Sequence, residues 1–273
     1  MAPPFELPMR PADFLEEWFQ GSWLEPQYRG VFHTYYQSYF KHFGPYIREQ
    51  YNNRLADIVE LISLREERTE VLDIGSGCGT ESLYFSLLGC KVLGVELSTE
   101  RFEVACERKR ILEAVSQKSL PCEFIRSSIF DAAIRKKFDF IWMEEAFHHV
   151  EPRNELVGLL ASFLKPGGYV VVSEANALNL AIQLALFKKR KLRTLRVYVD
   201  NEGIERLYGN ERILRASTMK KLFQREGISC VRVRHFRIFP NLAINDGLLK
   251  AFDRLFPKFL KLFFIHYNYV GRK

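Results

Sequence analysis

Cysteine is scarce and scattered: the 273 residues hold five, at positions 78, 90, 106, 122 and 230. The number is odd and no Cys-x-x-Cys pair occurs, so neither a zinc pattern nor a disulfide framework is indicated. A reducing, cytoplasmic setting is expected. Long apolar runs are missing as well. The longest, Leu178 to Phe187, is interrupted by Asn179 and Gln183 and falls short of the roughly 20 residues that span a bilayer. The start, Met1-Ala2-Pro3-Pro4-Phe5-Glu6, lacks the basic opening and apolar centre of a secretory leader. The protein is expected to be soluble, or at most peripheral at a membrane. No internal repeat or low-complexity tract is present.

What the chain does contain is an ordinary globular balance, 47% hydrophobic and 27% charged residues. Its length suits one α/β domain with additions rather than two equal domains. Net charge is +7, with a pI near 9.1. An RNA, an acidic lipid or a phosphorylated metabolite would all suit that charge, which does not choose among them.

The most informative stretch is Val71-Leu72-Asp73-Ile74-Gly75-Ser76-Gly77-Cys78-Gly79-Thr80. An apolar strand breaks into three alternate glycines, and a helix-compatible run to Leu88 follows. Open α/β sheets build a nucleotide site this way at the C-terminal edge of the first strand. The glycines allow a sharp turn and close approach of a ligand to the backbone, and the first helical amides face an anionic group. Lys91 to Glu96 reads as the next strand, and its terminal carboxylate, 21 positions after Gly75, suits the two hydroxyls of a ribose. Asp73 argues against NAD, because a pyrophosphate would bring further negative charge beside it. A ligand carrying an ammonium group fits better.

Val71 to Gly79 resembles motif I of the class I S-adenosylmethionine-dependent methyltransferases, and Gly94-Val95-Glu96-Leu97-Ser98 resembles motif II. Further matches follow in order. Cys122 to Phe130 resembles motif III, with Ser128 where an aspartate is common; Asp131 is the alternative partner for the adenine amine if the loop shifts. Phe138 to Val150 resembles motif IV and the loop after it. Leu164-Lys165-Pro166-Gly167-Gly168 turns a helix into a buried strand. The resemblance implies a doubly wound, seven-stranded, mostly parallel sheet with S-adenosylmethionine as cofactor. It assigns cofactor contacts to Asp73, Gly75, Ser76, Gly77, Glu96, Leu97, Ser128, Ile129 and Glu144. The catalytic candidates are His148 and His149, either able to take a proton from an oxygen nucleophile. His149 is read more readily as a packing hydrogen-bonder. No metal site is expected.

Outside this core, residues 1–50 are rich in aromatics; the resemblance implies a helical cap over the cofactor, and gluing of helices to the sheet explains the same aromatics equally well. Asp13 is read as the cap of a helix through Phe19, and His33 to Phe43 as a second helix. Residues 51–175 form the cofactor-binding core and 176–215 a lid inserted after the fifth strand. Within the lid, Ala175 to Arg196 reads as a helical run ending in a basic block. Residues 216–273 complete the sheet. The block Lys188–Arg196 and the amphipathic segment 246–264, with a break at Pro257, are candidates for contact with a membrane surface. The expected activity is methyl transfer to a small molecule, aromatic or lipid-like, at oxygen. Nucleic acid is disfavoured, because Glu144-Glu145-Ala146-Phe147 stands where base-modifying enzymes carry Asn-Pro-Pro-Tyr or Asp-Pro-Pro-Tyr. A non-catalytic S-adenosylmethionine-binding or membrane-surface protein is the remaining alternative.

Overall fold

The computed structural model describes residues 9–199, 203–241 and 245–273; the chain start discussed above lies outside them. Four helices come first: α1 (Pro11–Gln20), α2 (Pro26–Tyr35), α3 (Gln37–Lys41) and α4 (Pro45–Ser63). Strands and helices then alternate through β1 (Glu70–Ile74), α5 (Thr80–Leu87), β2 (Lys91–Glu96), α6 (Thr99–Ser116) and β3 (Cys122–Arg126). They continue with β4 (Phe138–Glu144), α7 (Arg153–Phe163) and β5 (Leu164–Ala175). Beyond lie α8 (Leu180–Arg190), a hairpin of β6 (Leu195–Val199) and β7 (Glu205–Gly209), then α9 (Ala216–Arg225), β8 (Ser229–Phe236), α10 (Asp246–Leu255) and β9 (His266–Arg272).

Seven strands form one sheet in the order β3-β2-β1-β4-β5-β9-β8. β1 to β5 run parallel, and β9 enters antiparallel between β5 and β8. Alternate residues divide between two cores. Val71, Phe140, Trp142 and Val171 face α1, α2, α4, α5 and α6, whereas Leu72, Ile141, Met143 and Val172 face α7 and α9. Buried on both faces, such strands are near-continuous apolar runs. Strand order reverses between β1 and β4, so a crevice opens at their carboxyl ends.

Several local expectations change. Asp13 is not the cap of α1: Arg10 holds that position because Pro11 starts the helix, and Asp13 pairs with Arg10 at 3.0 Å from within the first turn. The expected helix from His33 to Phe43 is two helices meeting at Tyr36. α4 runs unbroken through residue 50, so the cap and the core share it. The expected helical run from Ala175 to Arg196 starts with the last residue of β5, contains α8, and ends inside β6. Asn179 caps α8 by accepting from Ile182 N at 3.1 Å. α10 stops at Leu255, ahead of Pro257. No helix of the described residues is long and apolar enough to cross a membrane.

Candidate active site

The glycine loop leaves β1 under tight constraint. Gly75 and Gly77 have φ of 75° and 54°, a region that costs L side chains energy. A Cβ on Gly75 would lie 2.7 Å from that of Ala146, and one on Gly77 would meet the Tyr35 hydroxyl. Gly75 N and Ser76 N donate to Val95 O at 2.9 and 3.1 Å, tying the loop to β2. Glu96, at the end of β2, is 4% exposed. Its two oxygens accept from Gly77 N at 2.9 Å and Ser98 N at 2.7 Å. An ionised carboxylate has about four acceptor positions, so capacity for ribose hydroxyls remains.

The helical cap is pinned to this loop. Arg108 is fully buried, with Nη1 donating to Cys78 O at 2.7 Å and Thr80 Oγ1 at 2.6 Å. Its guanidinium lies 4.3 Å from the Trp18 ring and 4.8 Å from that of Phe32. Tyr36 Oη donates to Thr80 Oγ1, and Tyr51 Oη to Glu81 Oε1, both at 2.6 Å.

A cavity of about 520 Å³ opens at the β1–β4 crevice. Gly75, Glu96, Leu97, Ser128, Ile129, Glu144 and His149 all line it. Tyr35 contributes from the cap, and Tyr198 and Tyr208 from the hairpin. A second cavity of about 550 Å³ shares Leu97, Ser128 and Tyr208 with it and extends under the hairpin. Asp73, Ser76 and Gly77 stand behind the surface, whereas Asp131 lines the second cavity. Asp73 is 2% exposed and accepts from Ser82 Oγ at 2.5 Å. Burial, with Glu81 and Glu96 nearby, pushes its pKa up to about 8. Its carboxylate therefore acts on α5 rather than on the cavity wall. Ser76 is buried, and Gly77 sits beneath Tyr35. Ser128 Oγ accepts from Phe130 N at 3.3 Å and shapes its own turn. Asp131 pairs with Arg206 of the hairpin.

The neighbouring histidines have opposite fates. His148 is buried, and its Nδ1 lies 2.6 Å from Glu174 Oε2. Burial opposes protonation, but Glu174 outweighs it and raises the His148 pKa to about 9. His149 Nδ1 lies 2.9 Å from Gly209 O. A carbonyl only accepts, so Nδ1 carries the hydrogen and Nε2 is left as an acceptor. Burial first, and the adjacent His148 cation second, lower the His149 pKa to about 4. His149 thus packs through one nitrogen and stays neutral on the cavity wall, while His148 is held as a cation. One ligand atom each from His148, His149 and Glu211 lie within 4.8 Å of one another. The bonds to Glu174, to Gly209 O and from Lys189 to Glu211 at 2.7 Å make this a proton network.

Sequence reasoning missed the partners that decide these roles. Arg54 of α4 pairs with Glu144 and donates to His266 Nε2 at 3.2 Å. That bond leaves the His266 hydrogen on Nδ1, 2.9 Å from Glu145 Oε1. Glu145 itself has φ of 48°, unusual for a side-chain-bearing residue. These residues come from elements far apart in the chain, and no spacing signals them.

Residues 47–233 match the family model described as "Methyltransferase domain". A ubiquinone biosynthesis O-methyltransferase from Thiobacillus denitrificans is 33% identical over 107 residues, covering 39% of this chain and 44% of that protein. The match thus spans less than half of the relative's length. A SAM dependent methyltransferase from Archaeoglobus fulgidus superposes with TM-score 0.57 at 17% identity, over 88% of this chain and 99% of the other. Magnesium protoporphyrin IX methyltransferase from Synechocystis, solved with bound SAH, gives 0.53 at 13% identity, over 88% and 94%. Fold and family model together define a Rossmann-like methyltransferase. The chain belongs to the family described as a methyltransferase domain. The left-handed glycine loop and the acid ending β2 fit a nucleoside bound at the β1–β4 crevice.

Proposed function

We propose that this chain transfers a methyl group from S-adenosylmethionine to an oxygen of a small acceptor, aromatic or lipid-like, and that His149 takes the proton from that oxygen. One observation carries the reading. The cavity lined by Gly75 and Glu96 is also lined by a neutral imidazole whose Nδ1 is occupied and whose Nε2 has no hydrogen-bond partner among the described residues. The similarity to the Thiobacillus O-methyltransferase supports oxygen as the methylated atom.

When bound, S-adenosylmethionine supplies an electrophilic methyl group and leaves as a neutral thioether. Gly75 lets its methionine part approach the backbone, Glu96 and Leu97 receive the ribose, and Ser128 and Ile129 receive the adenine. Glu144 stands where cofactor and acceptor meet. Asp73, Ser76 and Gly77 hold the loop in shape from behind. The protein's main contribution is to position the acceptor and exclude water. As the oxygen gains the methyl group, its hydrogen passes to His149 Nε2. An oxygen bearing both is a strong acid, so even a weakly basic imidazole accepts. His148, protonated beside Glu174, has no lone pair to offer. Mass spectrometry of simple catechols incubated with the protein and S-adenosylmethionine tests the reading: a methyl ether is expected. Failure across catechols and phenols, in protein that binds the cofactor, counts against it.

The acceptor is drawn from a membrane surface in this reading. Leu184 and Phe187 of α8 are 64% and 54% exposed, and Leu255 and Phe259 are 84% and 78% exposed. The two segments adjoin, because Asn179 Nδ2 donates to Phe263 O at 3.0 Å and Asn176 Nδ2 to Lys261 O at 2.8 Å. The basic run Lys188–Arg196 flanks one and Lys250, Lys258 and Lys261 flank the other, the mixture that suits anionic lipid. Sedimentation with anionic but not zwitterionic vesicles is expected. Equal absence from both pellets removes this part of the proposal.

A further inference from the structure

The hairpin is stitched to the loop after β4 at one short stretch. Val150 and Tyr208 form an isolated antiparallel bridge. Gly209 N donates to His149 O at 2.9 Å, and Gly209 O accepts from His149 Nδ1 at the same distance. The Tyr208 ring lies almost parallel to the imidazole, with centroids 4.7 Å apart and planes at 14°. Tyr198 stands edge-on behind it at 5.9 Å. A Cβ at position 209 would fall on the carbonyl of His148, so only glycine allows this approach. At the base of the hairpin, Asn210 Nδ2 donates to Arg193 O at 2.7 Å.

We propose that Tyr208 and Gly209 are positioning residues for His149: seating of the hairpin on the loop after β4 holds the imidazole in its Nδ1–H tautomer, so the whole population presents Nε2 as the proton acceptor while the hairpin is closed. The proposal rests on the reading of His149 as the proton acceptor. Its chemistry is the placement of one hydrogen. In a neutral imidazole one nitrogen donates and the other accepts. With the Gly209 carbonyl in place, the hydrogen stays on Nδ1. When the hairpin lifts, that acceptor departs and the ring also samples the Nε2–H form, which has no lone pair at Nε2. The charged groups facing the ring do not substitute for the carbonyl. His148 is a cation, and Glu211 and Glu145 act on His149 through their charge rather than through a hydrogen bond. Seating of the hairpin thus raises the fraction of His149 that is ready to accept the proton.

Long-range proton–nitrogen NMR on the full chain, labelled with 15N-histidine and saturated with S-adenosylhomocysteine near neutral pH, reads the tautomer directly. Wild type and Tyr208→Phe, which keeps the stacked ring, are expected to show His149 protonated at Nδ1 and bare at Nε2. Gly209→Ala and Tyr208→Ala, each at saturating S-adenosylhomocysteine, are expected to show mixed tautomers. Catechol methylation in both is expected to fall in kcat in proportion to the lost Nδ1–H fraction, about two- to fivefold. If Gly209→Ala does not fold, Tyr208→Ala carries the test. A wild-type hydrogen on Nε2, a divalent ion bound there, or an unmixed Nδ1–H form in both loosening variants overturns the proposal. The base reading fails separately, if His149→Ala methylates catechol at the wild-type rate while the tautomer still responds to the hairpin.

Discussion

The two walls of the cavity are built by different means. The cofactor wall grows from the centre of the sheet, where the glycine loop and Glu96 bond to backbone within one strand of each other. The opposite wall is borrowed: Tyr198 and Tyr208 come from a two-stranded hairpin outside the main sheet, docked through the Val150–Tyr208 bridge, the Gly209–His149 hydrogen bonds and the Asp131–Arg206 pair. A wall embedded in the core is rigid and tolerates little, whereas a wall hung from a few exposed contacts can open. Substitutions in the first should therefore act on binding, and those in the second on turnover.

The largest effect is expected at Gly75. Gly75→Val combines a positive φ with collision against Ala146, and calorimetry should show affinity for S-adenosylhomocysteine lost by about a hundredfold or more, some 3 kcal/mol. Retained affinity would mean that the core wall is softer than described. Next, His149→Ala should lower kcat for catechol methylation by about 10²-fold, while cofactor affinity stays near wild type. Steady-state kinetics that place the loss in cofactor binding instead would erase the division between the walls.

A smaller effect follows from Glu174. His148 has its pKa raised to about 9 in the fold against an ordinary 6.5. The stability this contributes is fully present below about pH 6.5 and disappears as pH rises through about 9. Denaturant midpoints of the wild type should fall across that window. Glu174→Gln should be less stable below it, by about 2 kcal/mol, because a buried cation loses its paired charge, and the two proteins should converge above it. Parallel curves would show that His148 is not the titrating group. The smallest effect on the site is expected from replacing Lys188, Lys189 and Lys191 with Gln. Vesicle binding should weaken by about 1 kcal/mol per lysine, with cofactor affinity unmoved.

The same division explains how much could be read from the sequence. β1 to β5 and the helices between them declare themselves because each strand is buried on both faces and each turn uses local glycine, proline or serine chemistry. Gly75, Glu96, Leu97, Ser128, Ile129 and Glu144 are placed by strand ends, and all reach the cavity. Asp73 shares that neighbourhood but turns to Ser82, a choice that strand position alone does not reveal. The hairpin was hidden for a physical reason: Leu195, Val197 and Val199 are 42%, 62% and 62% exposed, so its apolar alternation points outward. The two histidines differ by one position in the chain and are told apart only by Glu174 and Gly209, 26 and 60 residues away.

Calorimetric titration with S-adenosylhomocysteine, on wild type and Glu96→Ala with NADH as control, tests most directly whether the β1–β4 cavity is the cofactor site. Binding to the wild type, none of NADH, and a loss of about 1–3 kcal/mol in the variant through missing ribose hydrogen bonds are expected. No binding to folded wild-type protein, or equal binding by Glu96→Ala, would contradict it.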